Sequence, residues 1–404
     1  MASATGSSAA PHPAFQAGLA RKALAAFFLS GLLFSFLGVI LPVWRHHLNE
    51  DFIVVGNHFL SMNLGIGATL AAGRFFRFRR VEIQLATACG LVCVVFAYLA
   101  LLPPGVSPWW RIGGVFFLGC AAALLNTAIF QALTPLYRQD PAATINLAGA
   151  LMGAGCITMT ALVAGTFYAY SVTTILLFLA LLPALFLVMY ARTRFVAGPE
   201  VFYPTLGQAL TQLKRPAAVL FALLLFFQFG NEWSLAGWLP LYLVQRLGIS
   251  PASALVMLTA YWLALLTGRF VVFSVLGSVG RRRMLGASVL AALFGCTILM
   301  ATDNRFGAVV GILMVGGGFA SVYPLVVERM GGRFPHYHPA FFNAVFSFAL
   351  TGGLLAPWSL GLLSDQFGIG VVMLLPLLGT LMVFLLLVLI WAEARFRERK
   401  DAAA

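Results

Sequence analysis

Apolar runs of about 20 residues, the length that crosses a hydrocarbon core of roughly 30 Å as a helix, recur along this sequence from end to end. Read in order they fall near 23–43, 53–73, 82–102, 109–133, 145–168 and 172–191, then 217–244, 252–276, 284–301, 306–329, 341–363 and 369–392. Twelve such runs leave few folds open, because a chain in lipid must satisfy its own backbone hydrogen bonds. Only 9% of the 404 residues are charged and 61% are hydrophobic, too little charge to clothe a water-soluble body of this size. The expected class is an all-α membrane protein of twelve transmembrane helices.

The formal charge of +13 invites a nucleic-acid reading, but its distribution argues against one. Twenty of the 25 Lys and Arg residues fall in alternate inter-helix loops and the two tails, while Arg45, Arg246 and Arg305 fall in the opposite set. That asymmetry is the positive-inside bias, and it predicts that both termini are cytoplasmic. A nucleic-acid groove would gather these charges on one face, so no nucleic-acid partner is expected. Short loops and the want of a targeting signal point to a cell inner membrane. The segment after Arg21-Lys22 is too long for a cleavable signal peptide and reads as the first span.

The break between spans six and seven divides the chain evenly. The expected organisation is a disordered tail over 1–20, a six-helix bundle over 21–192 and a cytoplasmic linker over 193–216. A second bundle over 217–394 and a basic tail over 395–404 complete it. Two six-helix halves with a central linker are a repeat arrangement found in transporters. Short loops leave no room for a soluble catalytic domain, so no enzyme activity is expected. Cys89, Cys93, Cys120, Cys156 and Cys296 all lie inside apolar runs and read as small buried hydrophobes. The clusters Arg45-His46-His47 with Glu50-Asp51, and His336-Tyr337-His338, have no spacing that dictates coordination, so no metal or other cofactor is expected.

Ionisable residues within a span are costly and therefore candidates for function. Among the acids, Glu232 alone falls well inside a span, about 22 Å of rise into the seventh and toward its outer half. Gln228, Asn231, Glu232, Trp238 and Tyr242 follow at spacings of three, four and seven and form one stripe. Amide, carboxylate and aromatic groups together suit a polyhydroxylated ligand. A carboxyl group at that depth can also take up and release a proton, a prerequisite for coupling. Weaker candidates for the substrate path are Asn126 and Gln131 in the fourth span, Trp262 in the eighth, Tyr323 in the tenth and Asn343 in the eleventh. Arg74 and Arg269 are candidates for gating or structural charge, and His58 reads as an interfacial histidine.

Several segments resemble the major facilitator superfamily. In the second half they are similar to its fucose permease branch of sugar–proton symporters. The matching residues are Gly230-Asn231-Glu232 with Gly237-Trp238-Leu239, Tyr261-Trp262 through Thr267-Gly268-Arg269, Gly316-Gly317-Gly318-Phe319 to Tyr323-Pro324, and Gly352-Gly353 through Pro357 to Leu363-Ser364-Asp365. The resemblance implies two bundles related by a pseudo-two-fold axis and alternating access around a cavity lined by helices one, four, seven and ten. It also implies that the Glu232 stripe faces that cavity. Two features depart from the family pattern. The loop between helices two and three has Ala where an Asp is usual, and helices one and four carry no acid, so proton coupling would fall to Glu232 alone. The expected function is secondary transport of a small polar solute, a sugar or sugar derivative, by a monomer. Export of amphipathic or lipophilic compounds, carriage of an organic anion, and uniport stay open as alternatives.

Overall fold

The computed structural model describes residues 13–48, 51–72, 80–139, 141–195, 216–333 and 339–403. Twelve long helices account for nearly all of them: α1 Pro13–Leu48, α2 Phe52–Ala72, α3 Val81–Leu101, α4 Pro108–Gln139, α5 Pro141–Thr166, α6 Val172–Ala191, α7 Pro216–Leu247, α8 Pro251–Val279, α9 Arg281–Ala301, α10 Arg305–Arg333, α11 Pro339–Phe367 and α12 Val371–Ala403. Among the described residues, eleven helices are long and apolar enough to cross a membrane. Several helices overrun the hydrophobic segments that predict them. A helix starts at Pro13, within the tail expected to be unstructured, because proline suits a first helical position and the following segment is rich in alanine. The basic residues expected to form a separate tail from 395 continue α12 to Ala403. Arg74, the basic loop around it and linker residues 196–215 lie outside the described residues, as do His336 and His338.

Packing within the two halves repeats with an offset of six helices. In the first half α3 packs on α4 and α6, α2 on α4, and α1 on α4, α5 and α6. The second half repeats the set: α9 on α10 and α12, α8 on α10, and α7 on α10, α11 and α12. Contacts between halves obey the same symmetry, since α2 meets α11 and α5 meets α8, with α1 against α7 on the axis. This is the pseudo-two-fold bundle pair expected from the sequence. The face that carries the start of α1 and the end of α6 is called proximal here, and the opposite face distal. Lys22 at the proximal start of α1 donates to Thr193 just beyond α6 at 3.0 Å, and Arg246 pairs with Asp303 across two distal loops at 2.8 Å.

In the distal half the halves meet closely. Gly56 of α2 faces Gly361 of α11, so near that a Cβ on Gly361 would lie 2.7 Å from the Gly56 Cα. Small residues let helix backbones approach where lipid supplies no hydrophobic drive. Deeper along the same pair, Asn63 Nδ2 donates to the Leu354 carbonyl at 2.6 Å. On the symmetry-related seam, Thr259 of α8 donates to Thr160 of α5 at 2.9 Å.

Candidate functional site

Glu232 lies sixteen residues after the start of α7 and fifteen before its end. It is therefore at mid-length of a helix longer than the apolar segment suggested, not in the outer half. Helix α7 is surrounded by α1, α8, α10, α11 and α12. Glu232 is half-buried among these helices. Gln228, one turn before it, is buried and donates from Nε2 to the Glu232 Oε1 at 2.7 Å. This amide holds the carboxyl in a fixed rotamer and leaves its own Oε1 without a protein partner.

Aromatic side chains from both halves border this pair. Phe34 of α1 meets Trp233 of α7 edge-on, with ring centroids 4.6 Å apart, and Trp262 of α8 at 5.6 Å. Tyr261 packs against Trp262 at 5.1 Å, and Phe229 lies 5.5 Å from Tyr323 of α10. Edge-to-face rings of this kind lock one another and expose flat apolar faces. The Trp262 Nε1 and the Tyr261 hydroxyl are buried and find no protein partner. Arg269, two turns proximal of Trp262, is half-buried and reaches across to the other half, where its Nη1 lies beside Gly149 of α5.

The stripe read from sequence divides in two. Gln228 and Glu232 pair with each other. Asn231 instead donates to Thr380 of α12 at 3.3 Å, and Tyr242 donates to the Leu299 carbonyl at 2.8 Å. Trp238 donates from Nε1 to the Pro357 carbonyl at 2.9 Å and stacks on Phe59 at 6.2 Å. The polar atoms of these three bond within protein seams. A stripe drawn at spacings of three, four and seven covers about 120° of a helix with 3.6 residues per turn, and its two edges meet different neighbours. In α4, Asn126 accepts from Ser30 of α1 at 3.0 Å and donates to the Ala122 carbonyl at 2.9 Å, while Gln131 is half-buried. Tyr323 is half-buried beside Phe229, and Asn343 lies in α11 with its side chain outside the described residues. His58 is buried, with Nδ1 2.7 Å from the Val54 carbonyl and its ring 5.1 Å from Trp44, away from the expected interfacial setting.

Phe34, Trp233, Tyr261 and Ser30 line or brace this region without having been singled out from sequence. Trp233 had a usable signal, its place next to Glu232. Phe34 had none, since it is one of 36 phenylalanines. Among the described residues, no three His, Cys, Asp or Glu side chains gather as a metal site.

Residues 221–404 match the sequence profile described as Major Facilitator Superfamily. An uncharacterized MFS-type transporter of Yersinia pestis is 21% identical over 356 residues, 86% of this chain and 89% of that protein. The fosmidomycin resistance protein of Escherichia coli is 27% identical over 176 residues, 42% of each chain. Among solved structures, the nucleoside transporter NupG superposes with a TM-score of 0.68 at 14% identity, covering 93% of this chain and 98% of that one. The Escherichia coli fucose:proton symporter FucP superposes with a TM-score of 0.61 at 16% identity, covering 92% and 98%. These likenesses show the fold over the whole length, and the profile adds the sequence signature of the second half. The chain thus has the multi-pass helical fold of these transporters. Its second half carries the sequence signature of the major facilitator superfamily.

Proposed function

We propose that this transporter carries a small polar solute, a sugar or sugar derivative, by alternating access, with Glu232 as the proton-carrying group. One observation carries the reading: a half-buried carboxyl paired with an amide at 2.7 Å stands at mid-length of α7, next in sequence to Trp233, which packs on Phe34 as Trp262 does. Directional acceptors grip hydroxyls while flat rings cover the apolar face of a ring-shaped solute. Two structural neighbours, a nucleoside transporter and a fucose:proton symporter, support a hydroxylated substrate. A second reading, export of an amphipathic compound, draws on the fosmidomycin resistance relative. The positive-inside bias supports cytoplasmic termini, which would make the proximal face cytoplasmic in a cell inner membrane. Arg74 is retained as a candidate gating charge.

Ligands stabilise the state they bind, so the test is a thermal-shift screen of the purified protein against sugars, nucleosides, organic acids and amphiphiles. The proposal expects a hydroxylated solute to raise Tm, and Trp262→Ala to remove that rise. Stabilisation by amphiphiles alone would replace this reading with the export one.

A further inference from the structure

Between their terminal turns, the helices packed around α7 and α8 carry two formal charges. Glu232 is the one acidic or basic residue of α7 before Arg246, and Arg269 is the one such residue of α8. Helix α1 has none between Lys22 and Arg45, α5 none at all, and α10 none between Arg305 and Glu328. Helix α11 has none before Asp365, and α12 none before Glu393. The other titratable groups facing the pair are Tyr261, Tyr323, Cys156 and Cys296.

The two charges sit on helices that pack together, yet among the described residues no ion pair joins them. Glu232 is held by Gln228, and the Arg269 Nε is buried with no protein partner. A guanidinium does not shed its proton, and a buried charge without a partner is costly. On the same two helices, the Gln228 Oε1, the Trp262 Nε1 and the Tyr261 hydroxyl are further buried polar atoms that the protein does not satisfy.

We propose that the substrate is an anionic hydroxylated solute, of the sugar-acid class, whose carboxylate pairs with Arg269 while its hydroxyls reach Gln228 and Glu232. This inference rests on the sugar reading above and narrows it. Charge balance then fixes the coupling. In the empty carrier, the Glu232 carboxylate at −1 and the Arg269 guanidinium at +1 sum to zero. In the loaded carrier, one proton has bonded to a Glu232 carboxylate oxygen and the substrate brings −1 to Arg269, so the sum is again zero. Both forms cross between orientations without carrying net charge through the low-dielectric core, and one proton moves with each anion.

The test uses the full-length protein. Thermal shift compares D-glucuronate and D-gluconate with D-glucose and the methyl ester of glucuronic acid, and proteoliposomes with potassium and valinomycin set the voltage. The acids are expected to bind and the neutral forms to bind at least tenfold more weakly. Uptake of the acid should follow a pH gradient and change less than twofold with voltage of either sign. Arg269→Gln should weaken acid binding by about tenfold or more, with Arg269→Lys falling between. The apo Tm of each variant establishes that it folds. Equal binding of neutral and acidic forms, silence of both acids, voltage-driven uptake, or parent-like acid binding by a folded Arg269→Gln would each overturn the inference. Binding of neutral sugars alone removes this inference and leaves the sugar reading standing. Binding of amphiphiles alone removes both.

Discussion

Replacing Gly361 by alanine should push the transporter toward its distal-open state, and the size of the effect follows from the seam. The new Cβ would lie 2.7 Å from the Gly56 Cα, 2.9 Å from the Phe52 carbonyl oxygen and 3.1 Å from the Gly56 amide nitrogen. Carbon atoms in contact prefer about 3.5–4.0 Å, so α2 and α11 must part by about 1 Å where both surfaces are backbone and cannot rotate away. Overpacking of this kind costs about 1–3 kcal/mol. On the proposed alternating access it is felt in the closed arrangement alone, since the two helices separate in the other. A difference of 1.4 kcal/mol is tenfold in an equilibrium constant, so the distal-open fraction should rise by roughly five- to a hundredfold. The assay is maleimide labelling, from the distal side, of a thiol introduced by Asn57→Cys beside the seam, with the parent's own five cysteines as background. Gly56→Ala should act alike, and the double variant should show less than the sum, since both methyl groups enter one gap. A folded Gly361→Ala protein that labels within twofold of its parent would refute the idea that this glycine contact holds the distal side shut.

Two further expectations concern residues that the structure separates by role. Trp238→Phe removes the bond to the Pro357 carbonyl, which should lower stability by about 1 kcal/mol in thermal unfolding. Substrate affinity should stay unchanged, and a selective loss of affinity would return Trp238 to the binding site. Phe34→Ala removes edge contacts to Trp233 and Trp262, each worth about 0.5–1.5 kcal/mol. Affinity measured by ligand-induced thermal shift should fall roughly two- to tenfold, and full retention would show that these rings do not shape the site.

The helix count was legible because each span must close its own backbone hydrogen bonds in lipid, which imposes a minimum apolar length. Helix ends were less legible. Helix α1 runs from Pro13 to Leu48 where the apolar signal covers 23–43, because a helix continues past the hydrocarbon on residues that need not be apolar. Within α7 the periodicity located the polar stripe but not its partition. Whether Asn231 meets Thr380 or a solute depends on where α12 lies, which no local spacing encodes. The aromatic border was hidden for a related reason, since a phenylalanine facing a cavity and one facing acyl chains are the same letter. Arg269 was visible as an intramembrane charge, while its approach to Gly149 came from the α5–α8 packing.

The account rests on Glu232 linking proton movement to solute movement. Its most direct test compares the parent protein with Glu232→Gln in proteoliposomes, measuring uphill uptake under an imposed pH gradient and, separately, solute exchange at equal pH. The amide preserves shape but binds no proton, so accumulation should vanish while exchange persists. Uphill uptake at the parent rate in a folded Glu232→Gln protein would contradict the account.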